Sequence, residues 1–385
     1  MESSDKPSSL HLSDLFSAYW DIFFGIIFGI LAFLSHTKGL TYTSTILAAI
    51  SIGALSVTIS EIAEILAERL GEPYGSFVLT FSAVAVEILL LFMILNGEGH
   101  STVESLATVK SGIISAVIVD MNVLLGLAVF VGGLAFKEQE HNEDTSSTYT
   151  TILFVSALAL LVPSLLQFSD NPEEKLTKAS VIISVMLILF YVIIYIFQTK
   201  THSHFFKSTA RSRIMRMKRK IGEEEEEEEH YIFDKFPNFL NLFIIFLLIL
   251  YVGFVAEIFA TDGMPVFKEL GISTGLAGLI IAIISVSPEL FTAIKAAKDD
   301  QIQRVINIAM GASTVSILLT VPILMFLAYI NHIHFTLDFN SLQIGALIFT
   351  VILAWKTTDD GETNYIEGIS HLMLFSCFAV IAALY

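Results

Sequence analysis

Eleven stretches of predominantly apolar sequence constrain this chain more than any other feature. Each is close to the ~20 residues that a helix needs to cross a bilayer. They fall at about 15–35, 42–68, 75–96, 109–135, 149–168, 179–198, 238–260, 272–297, 304–330, 341–356 and 367–385. The tenth is the shortest. At roughly 150 residues per soluble domain, 385 residues would otherwise suggest two or three such domains. Charged residues make up only 15% of the chain, against about 25% in a soluble domain, and the mean hydropathy is +0.73. The expected fold class is an all-α polytopic membrane protein of about eleven transmembrane helices, embedded in a lipid bilayer. The first stretch reads as a retained helix. It contains Trp20 and Asp21, only Lys6 precedes it, and no small-residue cleavage site follows. A net charge of −17 argues against nucleic-acid binding, which needs a basic surface. The single cysteine, Cys377, excludes an intramolecular disulfide and a cysteine-rich metal site, and its apolar surroundings suggest a packing role.

Lysine and arginine placement orients the spans. With a cytoplasmic N-terminus, 16 of the 21 basic residues fall on the cytoplasmic side, nine of them between Lys200 and Lys235. Lys38, Lys110, Lys175, Lys178 and Lys268 fall opposite. The asymmetry places the N-terminus and the long polar connection inside and the C-terminus outside. The expected location is the plasma (inner) membrane of a prokaryote. That connection starts basic and continues into seven consecutive glutamates, Glu223, Glu224, Glu225, Glu226, Glu227, Glu228 and Glu229. A block of like charge reads first as a solvated linker. A second reading is a patch that collects cations beside a transport mouth.

The connection splits the chain into a tail and first helix (1–36), a first five-helix unit (41–199), the linker (200–236) and a second five-helix unit (237–385). RLGEPYGSFVLTFSAVAVEILLL in the first half and ELGISTGLAGLIIAIISVSPELFTA in the second run alike. Each has Leu-Gly, a second glycine (Gly75, Gly275), an apolar helix and one glutamate deep within it, Glu87 and Glu289. An odd number of helices per unit inverts the second copy, which brings equivalent helices together at the midplane.

A carboxylate at the centre of a membrane helix costs roughly 2.5–3.5 kcal/mol on insertion scales. Two at matching places point to a shared cation or proton site; the bland alternative is a pair of protonated, hydrogen-bonded glutamates. Ser82, Ser285 and Ser287 stand near the pair on the same helices. Thr80, Ser115, Asp120, Asn122, Ser313 and Ser316 line the approaches. Pro288 is expected to free backbone carbonyls as further oxygen ligands. Oxygen-only ligation favours Ca2+, Mg2+, Mn2+, Na+ or K+ over zinc or copper. Glu61, Glu64 and Glu68 in SEIAEILAERLG share one helical face. They read either as an amphipathic helix end or, for Glu61 and Glu64, as an access path with Glu257 as counterpart. Asp120 and Asn122 are assigned to the same path.

These segments resemble the calcium/cation:proton antiporters of the cation/calcium exchanger superfamily, and most of all their ChaA-like branch. ERLGEPYGSFVLTFSAVAVE is similar to that branch's first signature and SPELFTAIKAAKDDQIQRVINIAMGAS to its second. DDGETNYIEG before the last apolar run resembles the C-terminal motif, and SEIAEILAERLG the acidic second-helix motif. The resemblance implies one extra helix plus two inverted five-helix repeats, an acidic cytoplasmic linker at Glu223–Glu229, and Glu87 and Glu289 as cation and proton ligands. Where the better-known calcium/proton exchangers carry Gly-Asn before each glutamate, this chain has Ala83-Val84 and, nearby in the second half, Ser285-Val286.

The function expected is secondary active exchange of Ca2+ for protons by alternating access. Missing asparagine oxygens leave Na+(K+)/H+ exchange with little Ca2+ activity as the alternative, and a cation channel as a more distant one. An enzyme is not expected: no HExxH motif occurs within a membrane span. No cofactor is expected; the partners are inorganic cations (Ca2+, Na+ or K+) and protons. The sequence leaves a homo-oligomeric state open.

Overall fold

The structure is a computed structural model that describes residues 19–70, 74–97, 103–168, 170–206 and 232–384. Its described residues form eleven apolar helices, nine of them long and apolar enough to cross a membrane. The first half contains α1 (Trp20–Thr37), α2 (Thr41–Leu70), α3 (Tyr74–Asn96), α4 (Val103–Phe136), α5 (Glu143–Leu161, extended by a 3-10 segment Val162–Phe168) and α6 (Pro172–Ile196). The second contains α7 (Asn238–Glu269), α8 (Thr274–Lys298), α9 (Ile302–Ile330), α10 (Ser341–Thr357) and α11 (Tyr365–Leu384). Helices are the natural answer to these runs, because hydrocarbon offers backbone N–H and C=O groups no partners except each other. The fold is therefore α1 followed by two inverted five-helix repeats, α2–α6 and α7–α11. Short connections make successive helices antiparallel. The side on which α6 ends and α7 begins is called the linker side below, and the other the far side. The linker itself, including Glu223–Glu229, lies outside the described residues, as does the tail before residue 19.

Several helices exceed the apolar stretch that announces them. α5 begins at Glu143, not near 149, because the Asn142 side chain accepts the Asp144 N–H and two acidic residues occupy the first turn. α6 starts at Pro172, a favoured first helical position, with Glu173 and Glu174 in its first turn. α7 continues to Glu269, past Asp262, whose carboxylate is held by Ser44 Oγ and lies 2.9 Å from His36 Nδ1. The short α10 is fixed by a capping box between Asn340 and Gln343. Cys377 is exposed on α11, so the packing role read from the sequence does not hold.

α4 is the central helix, buried along most of its length, whereas α1, α6 and α11 turn Phe, Leu, Ile and Val outward. It crosses α8 so closely that a Cβ on Gly278 would stand 2.6 Å from the Gly112 backbone nitrogen. Such small-residue contacts let membrane helices approach each other. Gly278→Val is expected to lower stability by about 3 kcal/mol, since the obstacle is backbone and no rotamer relieves it. Thermal unfolding in detergent checks this.

Two features carry the fold toward function. Both repeats interrupt their third helix with a π segment, Val119–Leu125 in α4 and Ser316–Thr320 in α9. Such bulges redirect side chains and frequently mark functional sites. On the linker side, β1 (Glu138–Glu140) pairs antiparallel with β2 (Glu362–Asn364), Gln139 opposite Thr363. Gln139 Nε2 also donates to Ala297 O at 3.1 Å and Asp300 Oδ1 at 3.0 Å, tying three helix connections together.

Candidate cation site

Glu87 stands in α3 among Val84, Val86, Ile88 and Leu90, all buried. Its Oε2 accepts Ser316 Oγ–H at 2.8 Å and Thr320 Oγ1–H at 3.2 Å, both from the π segment of α9. These two hydroxyls, four residues apart on one face of α9, meet the same carboxylate oxygen. Oε1 of Glu87 is buried with no partner. Asp120, on the π segment of α4, is 1% exposed. Its Oδ2 accepts Ser313 Oγ–H at 3.1 Å, and its Oδ1 has no partner. Glu289 of α8 contributes a third such oxygen, Oε2.

These three carboxylates line one cavity of about 420 Å³. Ser285, Thr292, Thr314 and Ser316 add hydroxyls, and Tyr149, Tyr191 and Tyr195 form much of the wall. The cavity extends to Glu64, Gln198, Thr199, Arg304 and Phe206, so it faces the linker side. Arg304 and Glu64 form an ion pair at that mouth. Buried polar atoms nearly always have a partner, and an unpaired carboxylate oxygen is expensive to bury. Three such oxygens, from Glu87, Asp120 and Glu289, face the same cavity. Among the described residues no three His, Cys, Asp or Glu side chains are arranged to hold a metal by themselves. A cation held here would need hydroxyl, carbonyl or water oxygens as well.

Helical geometry decides which residues named from sequence reach the cavity. Ser285 and Glu289 are one turn apart on α8 and both line it. Ser287, two residues from each, points elsewhere: it packs near Gly53 of α2, and its hydroxyl donates to Ile284 O at 2.7 Å. That carbonyl is the one Pro288 leaves without an N–H partner, so the expected free carbonyl is already taken. Ser82 is buried outside the cavity lining, and Glu61 and Glu257 are exposed away from it. Glu64 sits at the mouth, and Asp120 lies in the cavity with the two glutamates.

Asn122 faces the opposite way. Its Oδ1 lies 3.0 Å from His371 Nδ1 of α11, and its Nδ2 donates to Thr350 Oγ1 of α10 at 2.8 Å. His371 Nε2 is in turn 3.0 Å from Thr357 Oγ1. An amide oxygen only accepts, so the His371 proton sits on Nδ1. All four side chains are buried, and together they anchor the π segment that presents Asp120. Sequence reading did not single out Thr320, Arg304 or His371. Asp120 carries the same signal as the glutamates, a lone acid in an apolar run.

A bundle of inverted helix repeats around buried carboxylates defines a membrane ion exchanger. The chain matches the sodium/calcium exchanger protein family over residues 36–200 and 240–384, and it belongs to that family. It is 26% identical over 356 residues to the Ca(2+)/H(+) antiporter of Aphanothece halophytica, covering 90% of this chain and 92% of that one. It is 24% identical to the sodium-potassium/proton antiporter ChaA of Escherichia coli (strain K12), covering 89% and 90%. Among solved structures, native YfkE superposes with a TM-score of 0.76 at 19% identity, over 95% of this chain and 100% of that one. The H+/Ca2+ exchanger CAX gives 0.65 at 16% identity, over 95% and 93%. The last two show the shared fold.

Proposed function

We propose that this protein is a secondary antiporter that exchanges Ca2+ for protons by alternating access. The observation that carries the reading is the set of three carboxylates, each with a buried oxygen that has no partner, in one cavity open to the linker side, taken as cytoplasmic. Relatives named for Ca2+/H+ and for Na+, K+/proton antiport support the class. Deprotonated Glu87 and Glu289 bind the cation, and Asp120 supplies a third charge and oxygen. Protons arriving from the other side remove that charge and release the cation. The empty, multiply charged site does not reorient, because uncompensated charges would cross a low-dielectric region. That exclusion couples the two fluxes.

A proteoliposome assay separates this from a channel. An imposed pH gradient is expected to drive uphill Ca2+ accumulation, whereas a channel only dissipates gradients. Robust Na+ or K+ accumulation with no Ca2+ transport would reject calcium as the substrate and retain antiport. That second reading is kept because Val84 and Val286 line the cavity where an amide would add an oxygen. Ca2+ takes six to eight oxygens. The expected phenotype is therefore Ca2+/H+ exchange of modest affinity with competition from Na+ or K+. Val84→Asn is expected to favour Ca2+ over Na+ by roughly five- to tenfold, the scale of one added polar contact to a charge. Competition of Na+ with Ca2+ uptake measures it.

A further inference from the structure

His371 is a buried histidine that the exchange reading leaves without a role. It lies outside the cavity lining, so it can reach a bound cation only through other residues. Asp120 is the residue it bears on. On the cavity side Asp120 Oδ2 accepts Ser313 Oγ–H at 3.1 Å, and Oδ1 has no partner. Glu87 and Glu289 line the same cavity. Like charges repel, and more strongly where the effective dielectric is low. Deprotonated glutamates therefore push Asp120 away from the place where its charge serves a cation.

The restraint against that push comes from behind. Asn122 is two residues on, about 200° around the helix axis at 3.6 residues per turn. Its Nδ2 donates to Thr350 Oγ1 of α10 at 2.8 Å, and its Oδ1 accepts from His371 Nδ1 of α11 at 3.0 Å. His371 Nε2 in turn accepts from Thr357 Oγ1 at 3.0 Å. An amide paired at both ends to two different helices cannot turn about the α4 axis without breaking a bond. All four side chains are buried, so a broken bond leaves an unsatisfied group. His371 also acts from a firm base. A Cβ on Gly126 would stand 2.8 Å from His371 Cβ, and one on Gly368 2.4 Å from the Phe130 backbone nitrogen. α11 is thus seated on the turns of α4 that follow the π segment, as small residues allow.

We infer that His371 is a positioning residue: through Asn122 it holds Asp120 turned into the cation cavity, and so sets the preference of the site for Ca2+ over Na+ and K+. This rests on the exchange reading above, in which Asp120 supplies the third charge.

Proton-driven Ca2+ uptake in proteoliposomes, with competition by Na+ and a count of protons per Ca2+, tests it. His371→Leu is expected to lower the affinity for Ca2+ relative to Na+ by roughly fivefold, a large part of the roughly tenfold loss expected when the Asp120 charge is removed. Fewer protons are exchanged per Ca2+. His371→Asn, whose amide can pair with Asn122 from the place of Nδ1, is expected to keep most of the parent's preference. Thr350→Val is isosteric and removes only the other bond of Asn122. It is expected to move the ratio the same way by less, and it provides the test if His371→Leu does not fold. The decisive comparison is Asp120→Asn with and without His371→Leu. The pair is expected to match Asp120→Asn alone, whereas independent effects would multiply to roughly fiftyfold. A multiplied effect would overturn the inference. So would folded His371→Leu or Thr350→Val proteins that lose unfolding temperature but keep the parent's ion preference and proton count, since a merely structural network behaves in that way. Asp120→Asn with the parent's ion preference would overturn it at its premise. Absence of proton-coupled cation flux in the unmodified protein would instead overturn the exchange reading on which it rests.

Discussion

Glu87→Gln and Glu289→Gln are each expected to lower coupled exchange by two orders of magnitude or more while the protein stays folded. Truncating one charge of a buried, cation-neutralised set costs about 2–5 kcal/mol, and a factor of ten is about 1.4 kcal/mol. Glutamine keeps the shape. At position 87 its carbonyl oxygen still accepts from Ser316 and Thr320. Its amide occupies the place of an oxygen that has no partner now. The fold loses no contact, whereas the site loses the group on which cation and proton compete. Initial rates of Ca2+ uptake driven by a pH gradient, alongside the unfolding temperature in detergent, separate loss of exchange from loss of structure. Substantial proton-coupled flux in either variant would overturn the assignment of that residue.

Asp120→Asn is expected to behave differently. Asn is isosteric, and its oxygen still accepts from Ser313. The cavity keeps two carboxylates, enough to neutralise one Ca2+, so exchange persists. Removing a unit charge in a partly dry cavity weakens divalent binding by ~10-fold or more, because the effective dielectric there is nearer 20 than 80. A monovalent cation loses less. Selectivity is therefore expected to move toward Na+ and K+, and the number of protons exchanged per cation to fall. Flux stoichiometry measured with paired pH and Ca2+ indicators reads both. Unchanged Ca2+ affinity and stoichiometry would return Asp120 to a structural role beside Ser313.

The spans were legible in the sequence because hydrocarbon removes the usual ambiguity of helix and strand, so that length and polarity suffice. Their ends were not. α7 outruns its apolar stretch because Asp262 finds His36 and Ser44 across helices, a tertiary contact that no local pattern reports. Glu87 and Glu289 stood out by the cost of burying them. Asp120 is buried just as deeply, but without an equivalent in the second half it read as part of a path. The π segments were invisible, since their wider turns follow from packing. Asn122, two residues from Asp120, turns to the other side of the helix and serves the His371 network. Ser287 was misplaced for the same reason. Regular helix geometry sends it away from Ser285 and Glu289, and the carbonyl freed by Pro288 absorbs its hydroxyl.

The central claim is that cation and protons compete for the same buried carboxylates. Calorimetric titration of the detergent-solubilised protein with Ca2+, repeated in buffers of different ionisation enthalpy, measures the protons released per ion bound. At a pH where the site is partly protonated, Ca2+ binding is expected to release at least one proton, and its affinity to fall as the pH is lowered. Glu87→Gln and Glu289→Gln are each expected to reduce both effects. Ca2+ binding that releases no protons and keeps its affinity across that pH range would contradict the account.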